Sequence, residues 1–149
     1  PGLYMTVNKF NIRVYGIFIN EKKEVLVADE NRHGLSFTKF PGGGLEFGEG
    51  TIDCLKRECL EELGQEIEIV EHFYTTDLFQ ESAFNKNHQL ISIYYLIRTI
   101  KPFTEVIPEA GLPEKESFRW ISLKDLRADI FRFPIDKIVA ELLKEKFLF

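Results

Sequence analysis

GGLEFGEGTIDCLKRECLEELGQ, residues 43–65, is the stretch on which the reading of this chain turns. A glycine-rich opening is followed by a helix signal beginning at Gly50-Thr51. Thr51 can cap a helix, Asp53 suits the positive helix start, and Gly64 is a natural terminator, so a helix is expected over Thr51 to Leu63. Ile52, Leu55, Cys59 and Leu63 fall on one apolar stripe that should face a core. Arg57, Glu58, Glu61 and Glu62 lie elsewhere on the same helix. At 3.6 residues per turn the three glutamates project within a sector of roughly 100°. Like charges at these spacings repel by a few tenths of a kcal/mol per pair. A helix shaped for stability alone would intersperse lysine there. Clustered hard oxygens suit Mg²⁺ or Mn²⁺.

Outward from the helix, the chain alternates strand and loop signals. Phe10 to Ile19 is rich in β-branched and aromatic residues and reads as a strand. The polar turn Asn20-Glu21-Lys22-Lys23 leads to a second strand over Val25 to Ala28, and Asn31 to Thr38 reads as a polar loop. Phe40-Pro41-Gly42-Gly43-Gly44 holds too much glycine for a packed element. Glu66 to Phe73 alternates as a half-buried strand, Gln80 to Gln89 is a polar loop, and Leu90 to Ile100 is a continuous apolar strand expected at the centre of a sheet. Phe118 to Ile121 gives a short strand, Ser122 to Asp125 a helical turn, and Ile135, Ile138, Val139 and Leu142 a last helix. The sum is an α/β fold, a mixed sheet with helices on both faces forming an α/β/α sandwich, with residues 1–149 as one domain.

Composition narrows the class. The 149 residues are 44% hydrophobic and 29% charged, a globular balance. A net charge of -5 disfavours general binding to a nucleic acid polymer, which needs a basic surface. It leaves room for a small anionic substrate, because bound metal supplies positive charge. Cys54 and Cys59 match neither a metal pair nor a secreted disulfide framework, so reduced thiols and a cytoplasmic setting are expected. No apolar run approaches the ~20 residues of a membrane span, and the start lacks a signal-peptide pattern. Pro1 cannot initiate translation, so a tag remnant or a processed start before Met5 is expected.

Gly43, Glu49, Arg57, Glu58, Glu61, Glu62 and Gly64 stand in the order and spacing G-x5-E-x7-R-E-U-x-E-E-x-G-U, where U is a bulky apolar residue. This resembles the Nudix hydrolase signature. Cys59 fills the first U position, and polar Gln65 departs from the pattern at the last. The resemblance implies that Glu58, Glu61 and Glu62 ligate divalent metal, with the carbonyl of Gly42 joining them. It implies that Arg57 pairs with Glu49 and orients a ligating glutamate. It further implies a Mg²⁺- or Mn²⁺-dependent attack of water on a phosphorus of a nucleoside diphosphate-linked substrate. Nucleoside triphosphates, ADP-ribose, sugar nucleotides and dinucleoside polyphosphates all stay open.

The catalytic base varies in the family, between a box glutamate (Glu58 or Glu61) and an acid on a later loop. Glu105, Glu109, Glu114 and Glu116 are available there, and Glu114, six residues before Trp120, resembles one branch of the family. Phe79, Phe84, Phe131 and Phe133 are candidates to stack on a base, and Asp136 reads as the N-terminal charge of the last helix. Asp29 stands where some family members grip phosphate, with Arg32 as a substitute. His33, His72 and His88 have no spaced partners and read as surface or strand residues. Two rivals are a non-catalytic nucleotide-binding or regulatory module of the same fold, and an isomerase. The first would be expected to lack box glutamates, and the second would need a reactive cysteine better placed than Cys54 or Cys59. A small-molecule partner, no membrane and a chain compatible with a homodimer complete the expectations.

Overall fold

The computed structural model describes residues 6–102 and 116–148. Among the described residues, seven strands and two helices occur in the order β1 (Lys9–Phe18), β2 (Glu24–Arg32), β3 (Leu35–Lys39), β4 (Gly42–Gly44), α1 (Thr51–Leu63), β5 (Ile67–Thr75), β6 (His88–Thr99), β7 (Ser117–Ser122) and α2 (Pro134–Phe147), with a 3-10 turn at Ala128–Ile130. β4, β1, β6 and β5 form a mixed sheet in that order. Its one parallel pair is β1 with β6, running from Lys9 opposite His88 to Phe18 opposite Ile97. The apolar strand expected at a sheet centre therefore takes that place. β3, β2 and β7 make a second, antiparallel sheet.

Period-two alternation on β1 builds the layers. Val14 and Phe18 join Leu26, Ile97 and the α1 residues Cys54, Leu55, Cys59 and Leu63 in one apolar cluster. Ile17 belongs to the other cluster, with Val25, Val27, Tyr94 and the α2 residues Ile135, Val139, Ala140 and Leu143. This is the α/β/α sandwich.

Four local readings change. The expected loop over Asn31 to Thr38 is a hairpin: β2 runs to Arg32 and β3 starts at Leu35, joined by His33-Gly34. Both turn residues have positive φ, 53° and 80°, the geometry that matches strand twist in a two-residue loop. The polar residues tolerate the strand because their charges are met, Asp29 by Arg119 at 2.7 Å and by the Thr38 hydroxyl at 2.6 Å. The glycine run is also a strand: Gly42, Gly43 and Gly44 pair with Tyr15, Val14 and Arg13. The α1 cap is Gly50, whose N–H donates to Asp53, while the Thr51 hydroxyl instead meets the Tyr95 hydroxyl at 2.7 Å. Lastly, Ile52 is exposed, and Cys54 takes its place on the buried stripe.

Candidate active site

The short strand β4 lies beside α1, and that packing makes the site. At Gly42, φ is +147° and an added Cβ would strike the Val14 carbonyl and Tyr15. A methyl group on Gly43 would collide with the Glu58 carboxylate. The glycines thus let a strand and a row of acids share one space.

Arg57 organises the acids. Its Nε and Nη2 donate to the two oxygens of Glu49 at 2.9 and 2.7 Å, a bidentate fork. Nη1 donates to Glu58 Oε2 at 3.1 Å and to Glu61 at 3.2 Å, and Nη2 also reaches the Gly44 carbonyl at 3.1 Å. The fork holds the Glu49 carboxyl down at about 2, helped by the Glu46 backbone N–H. Burial pushes Glu58 up against the pull of Arg57. Glu62, which accepts from the Gly42 N–H at 3.3 Å, is raised further, to about 8, by burial and by Glu116 and Glu58, with Lys39 opposing.

Glu58 and Glu62 line one pocket with Gly42, Gly43, Lys39, Glu30 and Glu116. Glu61 stays outside that lining and is largely exposed, held by Arg57. Among the described residues no three carboxylate, histidine or cysteine side chains already converge as a ligand set, because Arg57 draws Glu58 and Glu61 to itself. The donors nonetheless fit a hard divalent cation. They are all oxygens, and Glu116 Oε1 is buried with no hydrogen-bond partner, the Lys39 ammonium standing 3.5 Å away. Glu105, Glu109 and Glu114 lie outside the described residues.

A second pocket adjoins the first. Phe37, Phe84 and Phe133 stand with ring centroids 5.0 to 6.0 Å apart. The Arg32 guanidinium lies 4.8 Å from the Phe84 ring centre. Asn11, Arg13 and Tyr15 reach the pocket from β1, and Arg13, Arg32 and Lys39 line both pockets. Of the aromatic residues read as stacking candidates, Phe84 and Phe133 are here, whereas Phe131 is buried and stacked on Phe40. Asp29 lies apart, bound to Arg119.

Sequence reading passed over Arg13, Glu30, Phe37 and Lys39. Two of them carried a signal: Asn11, Arg13 and Tyr15 alternate as polar groups in an otherwise apolar strand, and Lys39 is a charge set directly against Phe40-Pro41-Gly42.

Asp136 corrects another expectation. It sits in the first turn of α2 but is buried, not a solvated helix charge, and accepts from the Tyr94 hydroxyl at 2.6 Å. Burial raises it to about 6 despite that hydrogen bond. An unfolded aspartate loses its proton near 3.9. Between these values the folded chain keeps a proton that the unfolded chain has released, so stability falls as pH rises through the window and levels above it. Asp136→Asn cannot ionise and can still accept from Tyr94. Its stability relative to the parent should rise between pH 4 and pH 7 by about 1–3 kcal/mol. Urea melts across that range test this, and a pH-independent difference would contradict it.

In comparison with known proteins, a model of the NUDIX domain matches residues 9–142. The chain is 31% identical over 120 residues to a protein of Helicobacter pylori (strain P12) named RNA pyrophosphohydrolase, covering 74% of this chain and 76% of that one. A Psychrobacter cryohalolentis protein of the same name is 26% identical over 151 residues, covering 89% and 86%. Among solved structures, the MutT NUDIX hydrolase from Burkholderia pseudomallei superposes with a TM-score of 0.71 at 18% identity, covering 91% of this chain and 98% of that one.

Proposed function

Because this chain belongs to the Nudix family and is a Nudix pyrophosphohydrolase, we propose that it cleaves the 5′-polyphosphate of a nucleotide, with Mg²⁺ or Mn²⁺ held by Gly42, Glu58 and Glu62. One observation carries the reading: Arg13, Arg32 and Lys39 line both the aromatic pocket and the carboxylate pocket. A nucleotide with its base among Phe37, Phe84 and Phe133 would run its phosphates past these three cations toward the glutamates. Aromatic faces suit any base, and cations offset the charge of successive phosphates.

The chain's own groups have separable tasks. Arg57, fixed on Glu49, orients Glu58 and keeps Glu61 at the rim. Gly43 leaves room for the Glu58 carboxylate beside the backbone. The divalent ion, when bound, supplies charge neutralisation at phosphorus and lowers the pKa of water. For the proton acceptor the candidates are Glu58, Glu61 and a loop acid. Glu116, whose Oε1 is buried at the pocket wall, takes the loop position in this reading, with Glu114 as the alternative. The full set of box glutamates speaks against a non-catalytic module. Cys54 and Cys59 are free and buried, which supports a reducing, cytoplasmic setting. No helix among the described residues is long and apolar enough to cross a membrane.

The relatives' names favour a second substrate reading, the triphosphorylated 5′ end of an RNA. It differs from the first in the strand attached beyond the terminal nucleotide, and the net charge of -5 offers such a strand little attraction. A panel with Mg²⁺ separates them: nucleoside triphosphates, ADP-ribose, a dinucleoside polyphosphate and a 5′-triphosphate oligoribonucleotide, scored for phosphate products. Cleavage of free nucleotides at least as efficient as that of the oligonucleotide is expected. Strong preference for the oligonucleotide would transfer the assignment to RNA ends, and no cleavage of any member would overturn both.

A further inference from the structure

Lys39 is only 5% exposed, an unusual place for a lysine. It ends β3 and projects into the carboxylate pocket. Its Nζ donates to the Gly42 carbonyl at 3.4 Å and lies 3.5 Å from Glu116 Oε1 and 3.8 Å from Glu30 Oε1. The ring centre of Tyr15 is 5.9 Å away. Burial pulls its pKa down, but Glu62, Glu116, Tyr15 and Glu30 together more than reverse this, so the group stays an ammonium. Its charge is felt by Glu62 and Glu58 in turn. Every group it uses or attracts is therefore one that a divalent ion bound to Gly42, Glu58 and Glu62 would also use or feel. Two cations cannot both draw fully on one carbonyl and one set of acids, and at these separations they repel with little solvent to screen them.

We propose that Lys39 is a resident counter-cation of the carboxylate pocket, competing with the divalent ion for Gly42 O and for the field of the glutamates, and so setting how weakly that ion binds to the enzyme before substrate arrives. This rests on the metal reading above. It gives Lys39 a positioning role: it holds Glu30 and Glu116 beside the pocket that Glu62 lines, and it makes metal binding depend on the extra negative charge that a polyphosphate brings.

The test is a Mn²⁺ titration of the substrate-free protein, monitored by calorimetry or by the Mn²⁺ electron paramagnetic resonance signal. Lys39→Gln should bind Mn²⁺ more tightly than the parent by about 10-fold or more, because a buried positive charge has been removed from beside the ion. Lys39→Arg keeps the charge and should stay within a few-fold of the parent. The thermal midpoint of Lys39→Gln should be depressed without metal and should gain more than the parent from added Mn²⁺. Equal or weaker Mn²⁺ binding by folded Lys39→Gln would overturn the inference and leave the metal reading standing. No Mn²⁺ binding by the parent would remove both. Should Lys39→Gln not fold, the parent labelled with ε-¹³C-lysine decides: the ring-shifted Lys39 signal beside Tyr15 must move on Mg²⁺ addition, saturating with metal binding, and a stationary signal refutes the competition.

Discussion

Glu62→Gln is expected to lower turnover by on the order of 10²-fold or more while leaving the fold intact. The substitution keeps shape and can preserve a contact with the Gly42 N–H, which Glu62 accepts at 3.3 Å. It removes the negative charge that a divalent ion would use. Stability should hold or improve, because burial already raises the Glu62 carboxyl to about 8 and a neutral amide costs less to bury than a carboxylate. Glu58→Gln should behave alike in turnover. Rates at saturating Mg²⁺ alongside thermal melts give both quantities. Near-normal turnover in the two variants would remove the metal role from these glutamates.

The second large effect falls on Arg57→Lys. Lysine keeps the charge but loses the planar fork that spans both Glu49 oxygens while a third nitrogen reaches Glu58 and Glu61. One ammonium cannot hold three carboxylates in those directions. Metal affinity should fall roughly 10–100-fold, the scale seen when groups that orient metal ligands are lost. KM at saturating metal should move less. If Arg57 gripped a phosphate directly, lysine would serve as a point charge, KM would rise and metal binding would not change. Paired metal and substrate titrations of this variant tell the two apart, with unaltered metal affinity counting against the Glu49–Arg57 account.

Much of the site lay open to reading because it sits on one continuous helix with fixed periodicity. The spacing of Glu49, Arg57, Glu58, Glu61 and Glu62 placed the acids, and the fork between Arg57 and Glu49 is where the family pattern puts it. The order of elements came from the β-branched and aromatic run of β1, the alternation of β5, the continuous apolar run of β6 and the helical spacing of α2. What stayed hidden depends on tertiary pairing. Glycine-rich Gly42–Gly44 forms a strand only because β1 offers an edge, and a propensity argument cannot supply that edge. The β2–β3 hairpin rests on a His33-Gly34 turn in a polar stretch whose Asp29 is met by Arg119 of β7 and Thr38 of β3. Lys39 and Glu30 come from β3 and β2, and Glu116 from just before β7, so only the folded chain brings them into one pocket with Glu62. The aromatic pocket is likewise assembled from β3, the segment between β5 and β6, and the start of α2.

The central claim is that Gly42, Glu58 and Glu62 hold the divalent ion. Crystals soaked in Mn²⁺ and measured for anomalous scattering test it directly. The account predicts a peak about 2.1 Å from the Gly42 carbonyl and from carboxylate oxygens of Glu58 and Glu62, with the Lys39 ammonium drawn off the carbonyl. A peak elsewhere on the chain, or none at saturating Mn²⁺, would contradict it.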